Sequence, residues 1–299
     1  MPVTFLCRLA LPLILLAVAA CAPVGDAGEG GEGALRVVAT TDLVADVVRQ
    51  VAGDMQPVSL LVPSGSDIHG FQPSPRDVAT LAEAEVLFTN GLGLESFLQP
   101  VLDQAGGDAT LVDLSAVIQP LEAGEHDDED AEHGDEDGLG EYDPHVWLDP
   151  TNVMQWAAVI AATLAELDPA HASQYRDNAA AYQAELAALD TWISAEVERI
   201  PPERRLLVID HETLGYFAAR YGFEQLGTIV GGVSSMAEPS AQTLGQLQEQ
   251  IAAQDVPALF VNSSVNPTVA ETLASDLGIE IVPLYAESLS PADGPAPTY

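Results

Sequence analysis

From residue 35 onward, short apolar β-rich runs alternate with helix-patterned segments, and no other feature restricts the fold as strongly. Strand candidates are Leu35–Ala39, Val58–Leu61, Val86–Thr89, Leu111–Val112, Leu206–Ile209, Leu226–Val230, Ala258–Val261 and Glu280–Val282. Helical spacing lies between most of them, as in Leu43–Ala52, Ser240–Ala253 and Pro267–Leu277. Strand–helix–strand alternation predicts parallel sheets flanked by helices, an α/β architecture.

One helix stands apart. Asp168 offers a cap and Pro169 suits a first turn. Tyr175, Tyr182, Leu186, Leu189, Ile193 and Val197 then recur at helical spacing until Pro201-Pro202 stops them. About 30 residues at a rise of ~1.5 Å make a rod of roughly 45 Å. Such a rod, over 169–200, can serve two α/β lobes as a shared backbone, with its apolar stripe as a packing face. The division that follows is an N-terminal lobe at 35–168, this linker helix, and a C-terminal lobe at 201–299.

The N-terminus decides the compartment. Arg8 precedes an apolar run from Leu9 to Ala20, and Val18-Ala19-Ala20 leads into Cys21. The run is shorter than the roughly 20 residues a membrane span needs, so residues 1–20 read as a signal peptide. Small residues directly before a cysteine resemble a lipobox, in which Cys21 is acylated and becomes the first mature residue. Residues 21–34, rich in Gly, Glu and Ala, form a flexible tether. Cys7 and Cys21 are the two cysteines, so the mature fold has no disulfide and rests on its core. An extracytoplasmic, membrane-anchored lipoprotein is expected.

Charge excludes one class of partner. The chain has 46 acids against 9 bases, all of them Arg, and a net charge of −37. Nucleic acid needs cationic neutralisation and is not a partner; an acidic surface concentrates cations. In residues 121–143, 12 of 23 positions are Asp or Glu, with His126 and His133 among them. No core can form from that composition, so the segment reads as a disordered loop whose histidines make auxiliary metal contacts.

Imidazole is the commonest transition-metal ligand. His69 follows the strand at Val58–Leu61, His145 precedes a helix capped by Asp149 or Thr151, and His211 follows Leu206–Ile209 and opens a helix at Thr213–Tyr221. Open α/β sheets bind ligands beyond the carboxyl ends of their strands. Three histidines at such junctions point to a shared site. His171 reads as a surface residue, and Gly91 and Gly93 as turn glycines without a dinucleotide fingerprint. Asp149 is placed either to cap a helix or to orient His145.

Six segments together resemble the zinc/manganese-binding solute-binding proteins of ABC importers. They are Thr40-Thr-Asp-Leu-Val44, Ile68-His-Gly-Phe-Gln-Pro-Ser-Pro-Arg-Asp-Val78, Asn90-Gly-Leu-Gly-Leu-Glu-Ser-Phe97, Asp143-Pro-His-Val-Trp-Leu-Asp-Pro150, Asp210-His-Glu-Thr-Leu-Gly-Tyr-Phe-Ala-Ala-Arg-Tyr-Gly222 and Val261-Asn-Ser-Ser-Val-Asn-Pro267. The resemblance covers nearly all of 35–299. It implies two α/β lobes joined by one long rigid helix, a metal between the lobes, and the ligands His69, His145, His211 and Glu287. It also implies a cognate ABC permease with its ATPase as partner, and no enzymatic activity. The chain departs from the family at Ile68, where Pro is usual, and at Glu287, where many relatives carry Asp. It stops at Tyr299, where relatives continue with a last helix, so this end reads as truncated.

The resemblance also bears on the metal, because manganese-preferring relatives tend to carry Glu where this chain has His211. Three imidazoles and one carboxylate suit zinc, whereas oxygen-rich sites suit manganese. Zinc capture by a monomer is the reading; a manganese-binding member, or an adhesion or metal-buffering lipoprotein, is the alternative. A zinc hydrolase is disfavoured, since it would need an open coordination position and a general base, and no His-Glu-x-x-His occurs.

Overall fold

The computed structural model describes residues 34–123 and 141–299. Cys21, His126 and His133 lie outside the described residues. The first lobe runs β1 (Val37–Ala39), α1 (Asp42–Ala52), β2 (Val58–Leu60), α2 (Pro75–Glu83), β3 (Val86–Thr89), α3 (Leu98–Ala105) and β4 (Thr110–Asp113). Its four strands form one parallel sheet in the order β2-β1-β3-β4. Two long helices follow, α4 (Pro150–Leu167) and α5 (Ala172–Val197). The second lobe runs β5 (Leu206–Ile209), α6 (Gly215–Tyr221), β6 (Glu224–Thr228), α7 (Ala241–Gln254), β7 (Ala258–Asn262), α8 (Thr268–Leu277) and β8 (Glu280–Leu284), with parallel pairs β5–β6 and β7–β8. This is the α/β architecture with a long backbone helix that the sequence predicts.

Local rules explain the elements that carry the site. Thr41 caps α1 by accepting from the Val44 amide, and Asp42 in the first turn suits the positive end of the helix dipole. Leu43, Val44, Val47, Val48 and Val51 then recur at helical spacing and are all buried. They pack with Phe88 of β3, Trp156, Ile160 and Leu164 of α4, and Tyr175, Ala179, Tyr182 and Leu186 of α5. A second core gathers Val208, Leu247, Ile251, Leu259, Val261 and Leu273. The first half of α5 is therefore part of the first lobe's core. Farther along, Asp190 of α5 accepts two hydrogen bonds from Arg220 at 2.8 and 2.7 Å and one from Tyr221 at 2.9 Å, fastening α6 to the same helix.

Five expectations are corrected. The long helix does not start at Pro169: residues 169–171 form one 3₁₀ turn, and the α-helix is the 26 residues of α5. Asp168 does not cap it with its side chain, because that carboxylate is occupied by Tyr175 Oη, Gln56 Nε2 and the His171 ring. The helix after His211 begins two residues later than predicted, at Gly215, since His211 and Thr213 are committed to side-chain hydrogen bonds. β6 lies two residues earlier than predicted. Both ends of the 121–143 segment are ordered: Ala123 N donates to Glu141 O at 3.0 Å and Asp143 N to Leu121 O at 2.9 Å. Composition averages over the acidic run and hides this pairing at its base.

The last residues of the chain return to the first lobe. Leu289 and Tyr299 pack against its core, and Tyr299 Oη donates to Trp147 O at 2.6 Å. Residues 286–289 thereby cross from β8 to α1 as a strap.

Candidate metal centre

The structure brings His69, His145, His211 and Glu287 together, with one donor atom from each lying within 4.8 Å of all the others. Glu287 Oε1 is the hub. It stands 3.0 Å from His211 Nε2, 3.3 Å from His69 Nε2 and 3.5 Å from His145 Nε2. The three rings meet edge-to-face with centroids 5.5–5.6 Å apart. All four side chains are at most 1% exposed. Asp255, Asp276 and Glu280, carboxylates of the same lobe, are exposed on the surface.

Each side chain is placed by its own backbone. Beyond β2, Leu61 N and Val62 N still donate to Ala39 O and Thr40 O, and the chain then turns so that His69 points inward. His69 N donates to Asp67 Oδ1 at 3.0 Å. The Asp143 carboxylate takes both the backbone amide and the ring Nδ1 of His145, at 2.9 and 2.8 Å. The ring Nδ1 of His211 meets Asp210 Oδ2 at 2.7 Å, and Asp210 Oδ1 accepts from Asn262 N at the end of β7. A carboxylate on Nδ1 selects the tautomer that leaves Nε2 as the donor to a metal, and fixes the ring plane. Glu287 follows β8 and is positioned by its neighbours: Trp147 Nε1 donates to Ala286 O at 2.6 Å, and Gly65 N donates to Ser288 Oγ at 2.6 Å. Asp149 caps α4 through the Thr151 amide and does not orient His145.

The sequence reading missed Asp143 and Asp210 as partners of the imidazoles. A signal for them exists, because an aspartate sits one or two residues before every clustered histidine: Asp67-Ile-His69, Asp143-Pro-His145 and Asp210-His211. The three do not act alike. His145 and His211 carry a carboxylate on the ring, whereas both ring nitrogens of His69 are buried without a hydrogen-bond partner. Outside the cluster, His171 is half exposed and pairs with Asp168 at 2.6 Å.

The electrostatics favour a cation. Burial alone would lower the pKa of His211, but Glu287 and Asp210 outweigh it and push it up to about 10. Burial would raise Glu287, yet His211 and the other two imidazoles hold it well below the usual carboxylate range. Burial also opposes charge on His145, but Asp143 carries its pKa upward; His69, dominated by burial, moves down. Without a metal, a proton on His211 thus stands in for part of the missing positive charge. A divalent ion would replace that proton and leave Glu287, Asp143 and Asp210 to balance it.

A family model described as the zinc-uptake complex component A, periplasmic (ZnuA), matches residues 37–299. The chain belongs to the ZnuA family. The manganese-binding lipoprotein MntA of Halalkalibacterium halodurans is 33% identical to it over 290 residues, covering 96% of this chain and 91% of that protein. The iron-binding protein YfeA of Yersinia pestis is 30% identical over 265 residues, covering 88% of this chain and 81% of that protein. Among solved structures, a zinc-bound ZnuA deletion mutant matches with a TM-score of 0.75 at 30% identity, over 85% of this chain and 91% of that one. ZnuA-family chains are the metal-binding, substrate-binding components of ABC importers, which work with a permease and an ATPase, and they are not enzymes.

Proposed function

We propose that this ZnuA-family chain captures one zinc ion through His69, His145, His211 and Glu287 and delivers it to its ABC permease. The observation that carries the reading is the donor set, three imidazole nitrogens and one carboxylate oxygen converging in a buried cluster. Zinc takes four such donors tetrahedrally at about 2.0–2.2 Å, which separates neighbouring donors by roughly 3.3–3.6 Å. Of the spacings around Glu287 Oε1, 3.3 and 3.5 Å fall in that range and 3.0 Å lies just below it. Manganese and iron(II) favour more oxygen donors and higher coordination, so the donor set, more than the metals named for the relatives, supports zinc.

The same reading gives roles to the rest of the chain. Cys21 carries a lipid anchor and residues 21–34 tether a monomeric body outside the cytoplasm. The lobes at 35–168 and 201–299 are held by the 169–200 helical segment. The acidic run at 121–143, with His126 and His133, collects cations by steering, an effect that salt screens.

The test is metal analysis of protein purified without added metal, then zinc titration with manganese competition. One equivalent of zinc should bind tightly and resist manganese. The protein with His69, His145 and His211 all changed to Ala should lose that tight site; unchanged tight binding would sink the assignment. Cys21→Ser should shed the protein from the membrane with its metal site intact, and retention after correct cleavage would contradict the anchor.

A further inference from the structure

The two oxygens of Glu287 have different fates. Oε1 faces all three histidines, whereas Oε2 is turned away and accepts from Ser264 Oγ at 3.2 Å. Among the described residues, Ser264 is the only hydrogen-bond donor to that oxygen. Its position follows from strand pairing. β7 and β8 run in register to Asn262 and Leu284, and Ser263 N extends the ladder by donating to Leu284 O at 2.8 Å. Ser264 therefore lies beside the start of the strap that bears Glu287. Asn262, two residues earlier, is bound through its side-chain amide to Asp210 and Thr213, so the turn carrying Ser264 is itself anchored.

This asymmetry has a chemical meaning. A carboxylate can give a metal one oxygen or two. With one, the site offers three nitrogens and one oxygen, the four-coordinate set that suits zinc. With two, it gains a fifth, hard donor and moves toward the higher-coordinate, oxygen-richer sets that suit manganese. Resting on the zinc reading above, we infer that Ser264 is a specificity-determining residue: its hydroxyl holds Glu287 Oε2, keeps Glu287 a one-oxygen donor, and so biases the site toward zinc over manganese.

Ser264 is placed to orient Glu287, and it lies outside the cluster of donors, so its removal leaves every ligand in place. Zinc and manganese Kd values for the parent, Ser264→Ala, Ser264→Gly and Ser264→Thr test the inference, with X-ray absorption on the zinc and manganese forms. In Ser264→Ala and Ser264→Gly the zinc-over-manganese preference should fall about tenfold, the effect of one hydrogen bond to a charged group. In both hydroxyl-free variants one oxygen neighbour should be added around manganese and around zinc. Ser264→Thr keeps the hydroxyl and should keep the parent's preference. Equal weakening of both metals, or an unchanged preference in both hydroxyl-free variants, overturns the role of Ser264 while leaving the zinc site standing. A parent that binds no stoichiometric zinc overturns the zinc reading itself, and with it this inference.

Discussion

Ser288 Oγ donates to Asp42 Oδ2 at 2.8 Å, and the next amide, Leu289 N, reaches the same oxygen at 3.0 Å. Residues 246 positions apart are thus joined one step beyond Glu287, at the N-terminus of α1. Glu287 comes from the strand edge of one lobe but is fastened to the other. Asp42→Ala should free the strap, and we predict zinc dissociation at least tenfold faster, as loss of hydrogen bonds to a charged group implies. Stopped-flow chelator competition measures this; an unchanged rate would show that the strap holds Glu287 without Asp42.

The ring-orienting carboxylates should be felt in affinity. Partners behind metal-bound histidines are typically worth about 10–100-fold in metal affinity. Asp143→Asn and Asp210→Asn should each weaken zinc by roughly that factor. The neutral amide preserves shape, so a loss seen with Asn as well as Ala isolates the charge. Zinc titration by calorimetry is the measurement, and parent-like affinity for both would refute the orienting role.

Zinc binding should release protons. His211, pushed up to about 10, is protonated at neutral pH in the metal-free protein, and the metal must displace that proton from Nε2. Apparent affinity should therefore keep rising, about tenfold per pH unit, well above pH 7. Calorimetry in buffers of different ionisation enthalpy reads the released proton directly, and buffer-independent heats would exclude it.

The same pair sets the pH profile of the metal-free fold. A raised His211 stabilises fully below its ordinary value of 6.5, and that contribution is lost as pH rises through about 10. A depressed Glu287 stabilises above its ordinary 4.5, and that contribution is lost as pH falls through its lowered value. The Tm of the metal-free protein should be highest between these limits. His211→Gln should flatten the alkaline side; an unaltered alkaline limb would place its cause elsewhere.

Stability away from the site should depend on the α1–α4–α5 core. Trp156 is fully buried there. Trp156→Ala should cost about 3–5 kcal/mol, measured by denaturant unfolding of the metal-free protein. A loss below 1 kcal/mol would mean that the core collapses around the gap.

Much of this was legible beforehand, for identifiable reasons. Val86–Thr89 and Leu206–Ile209 match their strands residue for residue, because buried parallel strands read as unbroken apolar runs. His69, His145, His211 and Glu287 are close together; the three histidines each sit in a segment that carries the family resemblance, beside a strand or helix end, and Glu287 follows a strand. What failed depends on tertiary partners. Asp168 carries the signature of a cap, and only Gln56, more than a hundred residues away, together with Tyr175 draws its carboxylate aside. Asp42 and Ser264 lie in segments that carry the family resemblance, but their roles, like that of Ser288, are not readable there because they arise from where β7, β8 and α1 meet in space. The strap at 286–289 follows a strand ending that periodicity does not resolve, so its return to the first lobe left no local trace.

The closure of the histidine cluster has a kinetic consequence. Among the described residues the four ligand side chains are at most 1% exposed, so entry of an ion should require the protein around them to open. Capture is then gated: as metal concentration rises, its rate levels off at the frequency of such openings, however strongly the four donors attract. Escape passes through the same gate. Uptake and release of the ion should then share one tempo, set by how often the protein opens around the cluster.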